Sequence, residues 1–137
     1  MRFYLVGPYQ WQEQLNGYAK QLEILGHQVT SSWLLCELPD DYPLEDVQKR
    51  AFASHDLIDI GNTETFIAFL SDDPAHGRGG RHVEYGYALG IAEFRRMQTV
   101  VIGETDNIFY LVEQVRRFAD WESFIATVED LTQPKLF

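Results

Sequence analysis

The sequence predicts a single α/β domain, a three-layer sandwich in which a roughly five-stranded parallel sheet lies between two layers of helices. Three observations predict it. Short apolar runs alternate along the chain with amphipathic segments, the order expected when crossover helices join parallel strands. Phe66 to Leu70 is apolar throughout instead of alternating, as a strand covered on both faces is. The 137 residues hold no internal repeat, low-complexity stretch or Gly/Ser-rich linker. Residues 1–137 therefore read as one domain, long enough to bury roughly two thirds of its unfolded surface.

Each element has its own warrant. Arg2 to Val6 is a buried first strand closed by Gly7-Pro8. Trp11, Leu15, Tyr18, Leu22 and Leu25 then recur at spacings of four and three, the stripe of a helix lying on a sheet, and Gly26 stops it. His27 to Trp33 is the expected second strand, and Leu34 to Pro43, with two prolines and a run of acids, a loop. Val47, Ala51, Leu57 and Ile60 among polar residues predict a helix within Leu44 to Gly61, interrupted near Ser54-His55. Phe66 to Leu70 is the central strand, and Ser71 to Gly80, with Pro74 and three glycines, a loop. His82 to Arg96 is a helix, Thr99 to Ile102 a fourth strand and Phe109 to Val115 a short helix. A short fifth strand sits around Phe118, and Asp120 to Leu131 is the final helix. The arrangement is flavodoxin- or Rossmann-like.

Composition narrows the partners. Eleven Lys and Arg against 21 Asp and Glu leave a net charge of −10. That charge repels a polyanion and speaks against nucleic acid polymers and anionic membrane surfaces. A small molecule is the expected partner. MRFYLVGPYQ offers only Phe3 to Val6 as an apolar run, too short for the core of a secretion signal or a bilayer span. One cysteine suits a reducing compartment, so a cytoplasmic protein is the expectation. Cys36, among Leu34, Leu35 and Leu38, reads as a small buried hydrophobe. Arg95-Arg96 and Arg116-Arg117 are expected near helix C-termini, where the dipole favours cations.

In an open parallel sheet the ligand crevice lies outside the carboxyl ends of the strands. The loops that matter are therefore GPYQ, SDDPAHGRGGRH and GETDN, after Val6, Leu70 and Ile102. The stretch from His76 to Gly90, HGRGGRHVEYGYALG, is the most unusual. Its glycines let a ligand approach the backbone, and the helix start with Arg78, Arg81 and His82 favours an anion. It is neither a Walker A loop, lacking Gly-Lys-Ser/Thr, nor the dinucleotide fingerprint, whose third glycine is misplaced. A flexible basic loop on an acidic protein explains it equally. Glu84, near the start of the helix, suits the dipole there, but it also sits where a carboxylate kept ionised could attack an electrophilic carbon. His82 and Glu84, two apart on a helix, face different ways, and neither a metal nor another cofactor is expected.

Three segments in register, YLVGPY at the start, HDLIDI ahead of the central strand and GGRHVEYGYALG after it, carry a resemblance. The chain resembles the nucleoside 2-deoxyribosyltransferase family, which includes the related 2′-deoxynucleoside 5′-phosphate N-hydrolases, from Arg2 to about Val115. Its most specific part is Glu84-x-Gly86-x-Ala88. The resemblance implies that Glu84 is the nucleophile toward the anomeric carbon of deoxyribose, and that Tyr4 positions it. It implies that Asp56 stands near the sugar hydroxyls and the base, for sugar binding or for proton delivery. Asn107 resembles a position near the far end of the sugar, contributed in some members across a subunit interface. Gly7, Pro8, Tyr9, Arg78, Gly80, Arg81 and His82 complete the expected substrate-binding set. Taken singly, Tyr4 also fits a core aromatic, Asp56 a helix cap and Asn107 an ordinary loop residue.

This chemistry asks for two carboxylates with different duties. Cleaving an N-glycosidic bond builds positive charge on the sugar, which one carboxylate can trap as a glycosyl ester while an acid helps the base depart. Water then gives hydrolysis, and a second base gives transfer. One departure bears on the substrate. Six residues before Glu84, where the family's transferases have an aspartate for the base and its nucleotide hydrolases a small hydroxyl residue near the phosphate, this chain has Arg78. A guanidinium there could hold a 5′-phosphate, with Arg81 or His82. GPYQWQ, however, lacks the basic, glycine-rich first loop of the hydrolases, so both substrates stay open. A non-catalytic nucleotide-binding module is the alternative from another class. The resemblance also implies a homo-oligomer, a dimer or larger, which 3 Trp, 7 Tyr and 9 Phe would suit, being more than one small core needs.

Overall fold

Alternate side chains of the central strands feed two separate cores. Phe3 and Leu5 of β1 (Arg2–Val6), Ile67 and Phe69 of β3 (Thr65–Phe69) and Val100 and Ile102 of β4 (Gln98–Ile102) point to one face. Tyr4, Val6, Phe66, Ala68 and Val101 point to the other. This is the period-two alternation of strands, here apolar on both sides, which is why β3 reads as a continuous hydrophobic run. The computed structural model describes residues 1–37, 44–77 and 79–132. Arg78 and most of the expected acidic loop, 38–43, lie outside these residues.

The first core is closed by α1 (Gln12–Ile24), through Leu15, Ala19 and Leu22, and by α4 (Trp121–Thr132), through Trp121, Phe124, Ile125 and Val128. The second is closed by α2 (Asp46–Gly61), through Ile60, and by α3 (Gly80–Ala92), through Tyr85 and Ala88. With β2 (Gln28–Val29) and β5 (Arg116–Phe118), the five strands form one parallel sheet in the order β2-β1-β3-β4-β5. The expected three-layer α/β architecture is the one observed. The order reverses between β1 and β3, so the chain leaves their carboxyl ends toward opposite faces and opens a crevice there.

Several boundaries differ from expectation for physical reasons. The second strand stops at Val29, because the buried Ser31 hydroxyl takes the Leu5 N–H at 2.6 Å and replaces the ladder. A short 3-10 helix, Ser32–Leu35, follows. α2 runs without interruption through Ser54-His55, and a capping box between Glu45 and Gln48 starts it. The segment expected as a helix from Phe109 to Val115 is a single 3-10 turn, Ile108–Leu111. Arg116 and Arg117 lie on β5 rather than at a helix end. Arg95 does serve a helix C-terminus, but that of α2: its guanidinium donates to the carbonyls of Gly61 at 2.6 Å and of Thr63 at 2.9 Å.

Candidate active site

Tyr4 is fully buried in the middle of β1, its ring stacked on Phe66 at 5.5 Å with 9° between the planes. From there its hydroxyl donates a hydrogen bond to Oε1 of Glu84. Glu84 is the fifth residue of α3, whose entry is set by Gly79 at φ +96°. Only a residue without a Cβ takes that conformation at little cost. Gly77, at φ +90°, turns the same loop two residues earlier. Strand and loop together aim a carboxylate at the β1/β3 crevice and hold it by a phenol.

The electrostatics match this enclosure. Burial pushes the Glu84 carboxyl up to about 7, with the charge of Asp56 raising it further and the Tyr4 hydrogen bond opposing. Asp56, on α2, is raised to about 6, first by burial and then by Asp59, against His55. The Tyr4 phenol is driven far above its ordinary value by burial and by the two carboxylates, so it stays a donor. Two interacting carboxyls and one fixed phenol thus share a partly dry site.

A cavity of about 250 Å³ opens above them. Its floor is Glu84 and Asp56, and one wall is the loop from Gly7 to Tyr9 together with Gly80 and Arg81. Gly7 is closely packed, since a Cβ there would lie 3.1 Å from Leu15 and 3.2 Å from Phe69. Among the residues outside the expected set, Trp33, Cys36, Phe52 and His76 also line it. Trp33 is anchored by its indole N–H on the Leu5 carbonyl at 2.8 Å. Cys36, expected to be buried, is only half-buried and faces this cavity. Trp33 and Cys36 enter because β2 ends early, which no residue pattern announces. His76 lies in a loop already singled out by its place after β3.

Beside this cavity lies a polar hollow bounded by Ser71, Asp72, His76, Arg81, His82 and Asn107. Arg81 is expected to favour an anion, yet its guanidinium donates to the carbonyls of Ser71, at 2.9 Å, and of His76. It cross-braces the glycine loop. His76 is fixed by Ser71, Nδ1 to Oγ 2.6 Å, and His82 by Tyr110, Nδ1 to Oη 2.7 Å. Burial and the charge of Arg81 lower the imidazole of His82 below its ordinary value. Asn107 accepts from Phe109 N–H at 3.1 Å and so caps the 3-10 turn after β4. Among the described residues no group of three His, Cys, Asp or Glu side chains comes together to hold a metal ion. None of the described helices is long and apolar enough to cross a membrane.

The chain is thus an open parallel α/β sheet whose switch point carries a buried tyrosine bonded to a half-buried glutamate. No family model matches the sequence, and no curated protein matches it. Among solved structures the chain is similar to a 2-deoxyribosyltransferase from the psychrotolerant bacterium Bacillus psychrosaccharolyticus, with a TM-score of 0.69 and 16% identity over 100% of this chain and 99% of that one. It is also similar to a CMP N-glycosidase of Clostridium botulinum, with a TM-score of 0.61 and 15% identity over 94% of this chain and 98% of that one. At such identity the likeness is one of fold, and it is the fold that the sequence resemblance implies.

Proposed function

We propose that the protein cleaves the N-glycosidic bond of a 2′-deoxyribonucleoside through a covalent deoxyribosyl ester on Glu84, handing the sugar to another base or to water. The observation that carries this reading is the Tyr4–Glu84 pair, a desolvated carboxylate held by a buried phenol at the floor of the crevice. That the two solved neighbours are named as a 2-deoxyribosyltransferase and an N-glycosidase supports it. In the first step an oxygen of ionised Glu84 bonds to C1′ as the C1′–N bond breaks. The electron pair leaves with the base, which takes a proton from Asp56. In the second step water attacks C1′, returns a proton to Asp56 and frees Glu84; an acceptor base in place of water gives transfer. Tyr4 orients the nucleophile, and Trp33 and Phe52 offer aromatic faces to a base.

A second reading, hydrolysis of a 2′-deoxynucleoside 5′-monophosphate, is supported by the polar hollow beside the cavity and by a neighbour named for CMP. Arg78 would stand near that phosphate. We read the protein further as cytoplasmic, from its single cysteine, and as a homo-oligomer, because Val83, Tyr87, Phe94, Ile108 and Phe109 stay exposed in one copy; sedimentation tests the oligomer. The deciding experiment offers deoxynucleosides and their 5′-monophosphates, with and without a second base, and follows free base, exchanged nucleoside and protein mass. The expected result is base release or exchange, with a mass gain of one deoxyribosyl group that Glu84→Gln abolishes. Tight binding with unchanged ligand would make the protein a binding module instead.

A further inference from the structure

The sheet ladder ends where the site begins. Leu70 N–H donates to Ile102 O at 2.9 Å and Gly103 N–H to Phe118 O at 3.0 Å, and beyond these bonds the chains after β3 and β4 are free to part. One side chain joins them again. Oδ1 of Asp72 accepts from the Thr105 hydroxyl at 2.5 Å and Oδ2 from Asp106 N–H at 2.8 Å. The Thr105 oxygen in turn accepts from Asn107 N–H at 3.1 Å, and Asn107 accepts from Phe109 N–H. The Phe109 carbonyl accepts from Tyr85 Oη at 2.5 Å, and Tyr85 is the neighbour of Glu84 on α3. A continuous chain of hydrogen bonds therefore runs from the loop after β3, through the loop after β4, to the helix that carries the glutamate.

We propose that Asp72 is a positioning residue for this site, a carboxylate clasp that fixes the loop from Gly103 to Asn107 at the rim of the polar hollow. Both of its oxygens are engaged by the other loop, so its role runs through Asn107 and the wall that Asn107 forms, not through the reacting atoms. The two hydrogen bonds also hold its carboxyl below the ordinary carboxylate range, as a group that must stay charged requires. On the α3 side the loop keeps two further ties, Tyr85 to Phe109 and His82 to Tyr110, so loss of the clasp frees one edge without unfolding the segment.

The claim rests on the proposed glycosyl chemistry, and two readouts separate its failure from the failure of that chemistry. The first is amide hydrogen exchange in the whole protein. Asp72→Ala and Thr105→Val should each speed exchange at Asp106 and Asn107 at least about tenfold, leaving β3 and β4 unchanged, and Thr105→Ser should restore protection. Unchanged exchange in both variants overturns the clasp, whatever the activity. The second readout is kinetic, on the nucleosides that the wild type turns over. KM should rise about tenfold with kcat changed less than about threefold, and Asp72→Ala/Thr105→Val should lose no more than Asp72→Ala alone. Additive losses, or a KM equal to wild type, overturn the positioning role. If the wild type binds nucleosides without turning them over, their Kd takes the place of KM. If it neither binds nor cleaves any, the positioning role falls with the proposed function.

Discussion

At the scale of single residues, the burial that would arm Glu84 for the proposed chemistry costs stability. Its carboxyl is near 4.5 when unfolded and about 7 when folded, so the folded form binds the extra proton. The cost is absent below the unfolded value, grows as pH rises between the two and is constant above about 7. Glu84→Gln should therefore abolish sugar transfer, by at least about 1,000-fold, while stabilising the fold by about 1–3 kcal/mol at pH 8 and by nothing at pH 4. Denaturant titration at the two pH values checks it. Asp56 sharpens the pH dependence. In the proposed mechanism the competent form has Glu84 ionised and Asp56 protonated, although Asp56 is the stronger acid, at about 6 against about 7. kcat/KM should pass through a maximum between those values and fall on both sides. Asp56→Asn should remove the alkaline limb and leave one acid limb set by Glu84 alone, at or above its wild-type position, because the wild-type limb follows the stronger acid. Tyr4→Phe should shift the profile to higher pH, because Glu84 loses the hydrogen bond that lowers its carboxyl, and slow the reaction about 100-fold.

At the scale of elements, the strands and helices that build the sheet were legible because each owes its pattern to burial. Arg2 to Val6 and the Leu15, Leu22 stripe are visible in the residues because they face a core. β2 was not, because what ends it is one hydroxyl. Ser31 is 4% exposed and satisfies a buried backbone N–H, an event without periodicity. Ser31→Ala should leave that donor unpaired and cost about 1–3 kcal/mol in denaturant unfolding, more than an exposed serine ever would. The candidate site divides along the same line. Tyr4, Asp56 and Glu84 stood in motifs, whereas Trp33 and Phe52 reach the cavity through the rotation of a 3-10 turn and a helix, which only the folded chain specifies. Arg81 was legible as a cation but not as a brace, since its partners are backbone carbonyls, which sequence does not distinguish.

At the scale of the whole molecule, the net charge of −10 and the local cations work against each other. A neutral nucleoside feels neither. A 5′-monophosphate approaches an acidic body before it meets the glycine loop, so the long-range field should slow its capture. Raising ionic strength from about 10 to about 150 mM shortens the screening length from about 30 to about 8 Å. kcat/KM for the monophosphate should rise over that range while the value for the nucleoside stays level. Stopped-flow or steady-state assays at fixed pH test this, and a fall with salt would mean that the basic loop, not the acidic body, governs encounter.

The indole of Trp33 is pinned to the backbone of β1 on one side and bare to the cavity on the other. Of the other two tryptophans, Trp121 is buried in the opposite core and Trp11 sits beside His76, outside the cavity wall. The molecule therefore carries its own optical gauge: a base stacked in the cavity should quench Trp33 emission, and Trp33→Phe should silence that signal while sparing the rest of the spectrum. Occupancy can then be followed in real time on unlabelled protein, including variants too slow to assay by product.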